Sequence, residues 1–392
     1  MNPRDVVIVS ACRTPIGKNM GQFKDVRARQ LAITAGAEAI KRADIDPKLI
    51  DGIVMGECFT AMEGSLAARQ VSMRLGFSER SNACVVNQNC ASGMRALDIQ
   101  ANNILLGKED IGMVIGVESM TNAPYVLEKA RMGYRMGDSK IFDNMLHDGL
   151  IDELSGGHMG LTAENIAEKY GITREECDKI AVRSHNLACK AIDEGIFKDE
   201  IVPVVIKTKK GEKVITDDEH PIRGCTMETL AKLKPAFKKD GVITAANASG
   251  INDAAAAVIL MSWEKCQELG KKPMAKLVTC VAEGVAPEVM GLGPAVAMPK
   301  ALKAAGLKWE DIDYFEVNEA FSAQVLGVER MLKEDYGYVV DWDKTNKFGS
   351  GIALGHPVGC TALRIIVTLV YEMIRSDYKY GMASLCVGGG PA

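Results

Sequence analysis

Short β-branched runs alternate with longer, helix-patterned segments at both ends of this 392-residue chain. That alternation restricts the fold to an α/β architecture with buried, largely parallel strands. In the first half, strands are expected near residues 6–10, 52–56 and 112–117, and helices near 28–43, 65–75 and 92–106. The second half repeats the order, with strands near 275–282, 314–317 and 381–386 and helices near 298–305, 321–333 and 360–375. A short identity suggests duplication: Ala96-Leu97-x-Ile99 recurs 266 residues later as Ala362-Leu363-x-Ile365. A twofold relating the halves would bring Cys90 and His356 together at the starts of equivalent helices. Residues 121–250 break the alternation and read as an inserted domain. Within it, residues 198–239 carry ten Lys/Arg against seven Asp/Glu, more simply a solvated face than a phosphate-binding rim.

Composition excludes several classes. A net charge of -4 gives no drive toward nucleic acid or an acidic membrane. The longest apolar stretch, residues 254–261, is far short of a membrane span. Eleven cysteines with no CxxC pair, and five histidines without ligand spacing, suit neither a disulfide framework nor a metal site. They point instead to a reducing, cytoplasmic setting. No signal or transit segment is read before the first strand. After the glycines near the other end a further strand is expected, so the sequence reads there as cut short.

The candidate chemistry lies on three glycine-lined turns. Cys90 sits in Asn89-Cys90-Ala91-Ser92-Gly93, before a helix whose dipole and free N–H groups should draw its thiol toward neutrality. Cys386 precedes Val387-Gly388-Gly389-Gly390, whose backbone N–H groups can serve a developing oxyanion. Gly355-His356-Pro357-Val358-Gly359 holds an imidazole between rigid neighbours, suited to moving a thiol proton. Asn318-Glu319-Ala320-Phe321 follows a strand and can present an amide, although it also reads as a helix cap. The remaining nine cysteines read as small core residues. GxSxG, GxxxxGK and a full dinucleotide fingerprint are absent from the sequence.

Together and in this order, these four motifs resemble the thiolase family. Two further stretches agree, residues 157–165 around His158 and 246–253 around Ser249. The likeness covers essentially the whole chain and is nearest the family's short-chain, biosynthetic branch. It implies a five-layered α-β-α-β-α fold from two duplicated halves with an inserted loop domain. The halves would be residues 1–120 plus 251–274, and 275–392 without its final strand, with the loop domain at 121–250.

The resemblance further implies reversible Claisen condensation of two acetyl-CoA to acetoacetyl-CoA and CoA, with ping-pong kinetics. Cys90 would carry the acyl group, His356 would activate it, and Cys386 would exchange the α-proton. One oxyanion hole would use His356 with a water held by Asn318, the other the backbone of Cys90 and Gly388. Substrate contacts would come from His158, Ser249, Met290, Ala320, Phe321 and Arg223. Arg223 stands one place later than in the family pattern, and residues 346–351 also depart from it. No tightly bound cofactor or metal is implied, coenzyme A thioesters being substrates. A homotetramer, a dimer of dimers, would assemble through the loop around residues 120–136. Three other readings stay open: a degradative thiolase for longer chains, a ketosynthase, and an inactive acyl-CoA- or lipid-binding relative. A His or Asn is expected where Cys386 stands in a ketosynthase, which argues against that one.

Overall fold

A computed structural model describes residues 1–209 and 211–392. Lys210, within the lysine-richer stretch, lies outside them. In the first half the chain runs β1 (Val6–Arg13), α1 (Ala28–Ala43), β2 (Gly52–Gly56), α2 (Ala67–Arg74), β3 (Asn82–Val86), α3 (Ser92–Leu105) and β4 (Ile111–Ser119). Next come α4 (Met159–Tyr170) and α5 (Arg174–Asp193), then β5 (Asn252–Ser262) and β6 (Ala275–Lys276). The chain closes with α6 (Gly293–Ala305), β7 (Tyr314–Val317), α7 (Ser322–Tyr336), α8 (Val358–Arg375) and β8 (Gly381–Ser384).

The main sheet has the order β6-β1-β5-β4-β2-β3, with Gly17–Lys18 also pairing to β5. It is mixed rather than largely parallel. β5 runs antiparallel to both β1 and β4, whereas β2 is parallel to β3 and β4. The expectation of parallel strands misses β5 because its Asn252-Asp253-Ala254-Ala255-Ala256-Ala257 start carries no β-branched signature. Those alanines are needed because α1 and α8 both pack on β5, so every residue of the strand is buried.

α8 is the hinge of the layering. Residues Val358 to Val370 are all buried, and the helix packs on β4 and β5 and also on the parallel pair β7–β8. A helix covered on so many sides is apolar over most of its circumference, its buried polar side chains being Thr361, Arg364, Thr368 and Glu372. α1 covers the outer face of the main sheet, while α6, which packs on β8, and α7 lie with α4 outside the second pair. Of the strand expected over residues 275–282, only Ala275–Lys276 are laddered, and they pair with β1 of the first half. The residues that follow are not in a named strand, although Leu277 donates to the Val6 carbonyl, Glu283 and Ala392 exchange two backbone hydrogen bonds, and Gly284 bridges Pro391.

Candidate active site

The site is built from two turns that each lead into a helix. In the first, the Ser92 hydroxyl donates to the Asn89 carbonyl at 2.7 Å and accepts the Gln88 N–H at 2.9 Å. Asn89 adopts a left-handed φ of 44°, which asparagine tolerates better than most residues. Its side-chain amide donates to the Gly388 carbonyl at 3.3 Å, fastening this turn to the glycine run near the C-terminus.

In the second turn, Gly355 has φ +100°, and a Cβ there would lie 2.4 Å from the Asn252 side chain, so only glycine fits. Asn252 Oδ1 accepts the His356 N–H at 2.9 Å while its Nδ2 donates to the Gly17 carbonyl at 3.0 Å. Cys90 and His356 each stand two residues before the first residue of their helix. α3 and α8 then cross closely enough that a Cβ on Gly93 would lie 3.0 Å from Leu363. The result is a contact of 3.2 Å between His356 Nε2 and Cys90 Sγ.

Cys386 lies just past β8, fully enclosed, and near enough to Cys90 that charge on one thiol opposes charge on the other. Burial pushes the Cys90 thiol up to about 11, opposed by the backbone N–H groups of Gly388 and Cys90, which face the sulfur. Burial drives the Cys386 thiol up further. Burial and the enclosed Arg364 guanidinium push His356 down to about 3. This reverses the expectation that the helix start would draw Cys90 toward neutrality, because the N–H groups do not offset the loss of solvent. The resting pair is therefore a neutral thiol facing a neutral imidazole.

A pH consequence follows. Alkylation of Cys90 by iodoacetamide, followed by mass mapping, should accelerate about tenfold per pH unit between pH 7 and 9, without a plateau. A rate already constant below pH 7 would show a thiolate–imidazolium pair instead.

Asn318 is buried, its backbone N–H donating to the Ser384 carbonyl at 3.0 Å. Both polar atoms of its side chain lack a partner. Ser249 donates its N–H to the Ala320 carbonyl at 2.9 Å, and Ala248 bridges to Phe321. His158 caps α4 by accepting the Gly160 N–H at 3.0 Å and stacks on Phe237 at 4.7 Å, which meets Phe321 edge-on. Met290 is buried in the same apolar cluster as Met159, Ala320, Phe321 and Cys386. Arg223 faces outward, forked onto Asp193 at 2.9 and 3.0 Å. Among the described residues no group of three His, Cys, Asp or Glu is arranged to hold a metal, and all eleven cysteines are free thiols.

Sequence reasoning missed the residues that hold this geometry. Asn252 is one and Glu118 another. Glu118 Oε2 accepts the N–H groups of Cys58 at 3.0 Å and Gly359 at 2.8 Å, and Oε1 that of Phe59 at 3.1 Å. A carboxylate at the end of a buried strand was the available signal, since such a group needs donors.

Residues 6–264 match the family model described as Thiolase, N-terminal domain, and residues 271–392 match Thiolase, C-terminal domain. The acetyl-CoA acetyltransferase of Syntrophomonas wolfei subsp. wolfei is 52% identical over 389 residues, spanning 99% of this chain and 97% of the relative. A solved acetyl-CoA acetyltransferase from Syntrophomonas wolfei superposes with TM-score 0.98 at 63% identity, covering 100% of this chain and 98% of that one. Human mitochondrial 3-ketoacyl-CoA thiolase in complex with CoA superposes at 0.93 with 38% identity, covering 100% and 97%.

Proposed function

The chain belongs to the thiolase family, and from that premise we propose how its thiols and imidazole carry out acetyl transfer between coenzyme A thioesters. It is an acetyl-CoA acetyltransferase. The observation that carries the mechanistic reading is the 3.2 Å contact between His356 Nε2 and Cys90 Sγ, with a second thiol, Cys386, beside it.

In the first half-reaction the Cys90 proton passes to His356 Nε2 as sulfur attacks the thioester carbonyl. The carbon–sulfur bond to coenzyme A breaks, and its thiolate leaves with the proton from His356. Because both groups start neutral, charge separates only as the transition state forms, which requires donors already aimed at the oxygen. The backbone N–H groups of Cys90 and Gly388 face the sulfur and serve that oxygen. In the second half-reaction His356, neutral again, takes the Cys386 proton, and the Cys386 thiolate takes an α-proton from the incoming acetyl-CoA. The resulting enolate oxygen is held by His356 and a water on the unpartnered Asn318 amide, and its carbon attacks the acyl group on Cys90. A carbon–carbon bond forms, the Cys90 thioester bond breaks, and the departing Cys90 thiolate takes the proton from His356, which leaves Cys386 as the thiol it began as.

His158, Ser249, Met290, Ala320 and Phe321 form the wall along which the pantetheine arm and short acyl group are read. Arg223, forked onto Asp193, reaches the nucleotide end only if that pair opens. Exposed Tyr125, Leu127, Met132 and Met136 suit burial between copies, supporting the homotetramer, and eleven free thiols suit a cytoplasmic setting. No helix among the described residues is long and apolar enough to cross a membrane.

Thiolysis of acetoacetyl-CoA by CoA, run beside six- to ten-carbon 3-ketoacyl-CoA substrates, tests the reading. Turnover highest on the four-carbon substrate is expected, and a rising rate with chain length would assign the degradative activity instead.

The oxyanion role predicts an effect at Gly388. A Cβ there would lie 2.4 Å from Met159 Cε and 3.2 Å from Asn89 Nδ2. The methionine end can swing away, so Gly388→Ala should fold. The displaced N–H should lower kcat by about tenfold or more, measured with KM on acetoacetyl-CoA.

A further inference from the structure

The His356 ring has a second partner that the reaction sketched above leaves unused. Its Nδ1 lies 2.6 Å from the Thr361 hydroxyl oxygen, one turn into α8. That hydroxyl in turn donates to the Pro357 carbonyl at 2.9 Å. All three groups are buried, with His356 6% exposed and Thr361 0%, so water cannot replace either bond.

Proton counting fixes the direction of this chain. A carbonyl only accepts, and the hydroxyl lies 2.9 Å from the Pro357 oxygen, which also takes the N–H groups of Cys360 and Thr361, so with the hydroxyl proton turned to that oxygen none is left for the ring. The Thr361 oxygen then has only lone pairs to offer the ring, and Nδ1 must carry the hydrogen. In a neutral imidazole that leaves Nε2 bare, and Nε2 is the nitrogen facing Cys90 Sγ. The sequence thiol to Nε2, Nδ1–H to hydroxyl, hydroxyl to carbonyl satisfies every donor in one direction.

We propose that Thr361 is a positioning residue that holds His356 in the Nδ1–H tautomer, so that Nε2 is always the free base facing Cys90. The assignment deepens the thiolase reading and rests on it for its kinetic consequence, but the tautomer itself does not depend on any substrate. When Nε2 takes the Cys90 proton, the ring becomes cationic while its Nδ1–H stays on the Thr361 oxygen. The remaining charged neighbours are Arg364 on the same helix, which disfavours that cation, and Glu118, which holds the Gly359 N–H from β4. A neutral hydroxyl fixes the ring without adding a charge of its own, unlike a carboxylate in the same place.

The helix context makes the residue choice specific. Serine or threonine near a helix start folds its hydroxyl back onto a carbonyl one turn earlier, and here that carbonyl belongs to the residue after the histidine. Valine preserves the shape of threonine while removing the hydroxyl, and serine preserves the hydroxyl while removing the methyl.

The test uses the full chain as wild type, Thr361→Val and Thr361→Ser. Nitrogen-15 NMR of histidine-labelled protein, with the His356 signals identified by their loss in His356→Asn, reads the tautomer directly. Wild type and Thr361→Ser should show Nδ1 protonated and Nε2 bare, and Thr361→Val should show a mixture. In acetoacetyl-CoA thiolysis, Thr361→Val should lose about ten- to a hundredfold in kcat with KM near wild type, and Thr361→Ser should recover most of it. An Nε2–H tautomer in the wild type, or a Thr361→Val protein with unchanged tautomer and kcat, would overturn the proposal. Because the NMR arm needs no substrate, a failure of the acetyltransferase reading would leave it standing and be recognised separately.

Discussion

With Cys386 replaced by alanine, the enzyme is expected to take an acetyl group from acetyl-CoA onto Cys90 and then to stop. Acylation needs only the Cys90–His356 contact, and Cys386 is absent from it. The second half-reaction needs a base for a carbon acid, and Cys386 lies near enough to Cys90 for their charges to interact, whereas the nearby Cys58 thiol is turned onto the Asn89 carbonyl. Loss of a positioned general base costs typically 10²–10⁴-fold, so overall turnover should fall by about a thousandfold or more. Intact-mass analysis should still show one acetyl group on Cys90 and release of free CoA. Cys90→Ala should lose both steps, with turnover down by about 10⁴-fold or more and no acetylated protein. A Cys386→Ala enzyme that condenses acetyl-CoA at near the wild-type rate would remove Cys386 from the proton transfer. One that fails to acylate would place it in the first step. Cys386 is enclosed, so a thermal melt must accompany the kinetics.

The two half-reactions make opposite demands on the same thiols, and the structure meets both through burial. A thiol pushed up to about 11 is a poor nucleophile until its proton has somewhere to go. His356, pushed down to about 3, is a free base across the working pH range. An enclosed Cys386 is a stronger base once ionised than an exposed thiol would be, as removal of an α-proton requires. The sequence-level argument from helix dipoles reached the right cysteine with the wrong sign for its acidity.

That difference shows what a sequence of this kind exposes. Cys90, His356 and Cys386 are legible because each is a rare residue type set in a glycine turn, and the turn is local in sequence. α1 and β2 are legible from pattern alone, their bounds matching residues 28–43 and 52–56. β5 is not, since Ala254 to Ala257 look helical and become a central strand only because α1 and α8 leave room for small side chains. The helix start at Gly293 is hidden by Pro294, which costs little in a first turn, and by Pro299 inside the helix. Asn252, Thr361 and Glu118 act through side-chain bonds to backbone groups, and for Asn252 and Glu118 those groups lie far away in the chain. No local pattern encodes such partners.

Glu118 is where the remaining large effect is expected. Its carboxylate gathers N–H groups from the 58–59 turn beside Cys90 and from Gly359 at the start of α8, so one side chain fastens both halves of the site. Glu57 lies next to it with no hydrogen-bond partner on either oxygen. Burial and the neighbouring charge push Glu57 up to about 9 and burial pushes Glu118 to about 7. Three donors favour the ionised form of Glu118 and none favours that of Glu57, so near neutral pH Glu57 holds the proton. The folded state keeps that proton while the unfolded chain releases it above its ordinary value of 4.5. Stability therefore falls as pH rises from about 4.5 to about 9. Glu57→Gln removes the titration and should match wild type only near pH 4.5, be more stable at pH 6 and more so at pH 8. Glu118→Gln turns an NH₂ toward at least one of the three N–H groups and strands it in the core. That should cost about 2–4 kcal/mol in urea unfolding and slow acetyl transfer by loosening both turns. Equal stability of the two variants at pH 8 would show that Glu118 fastens neither turn.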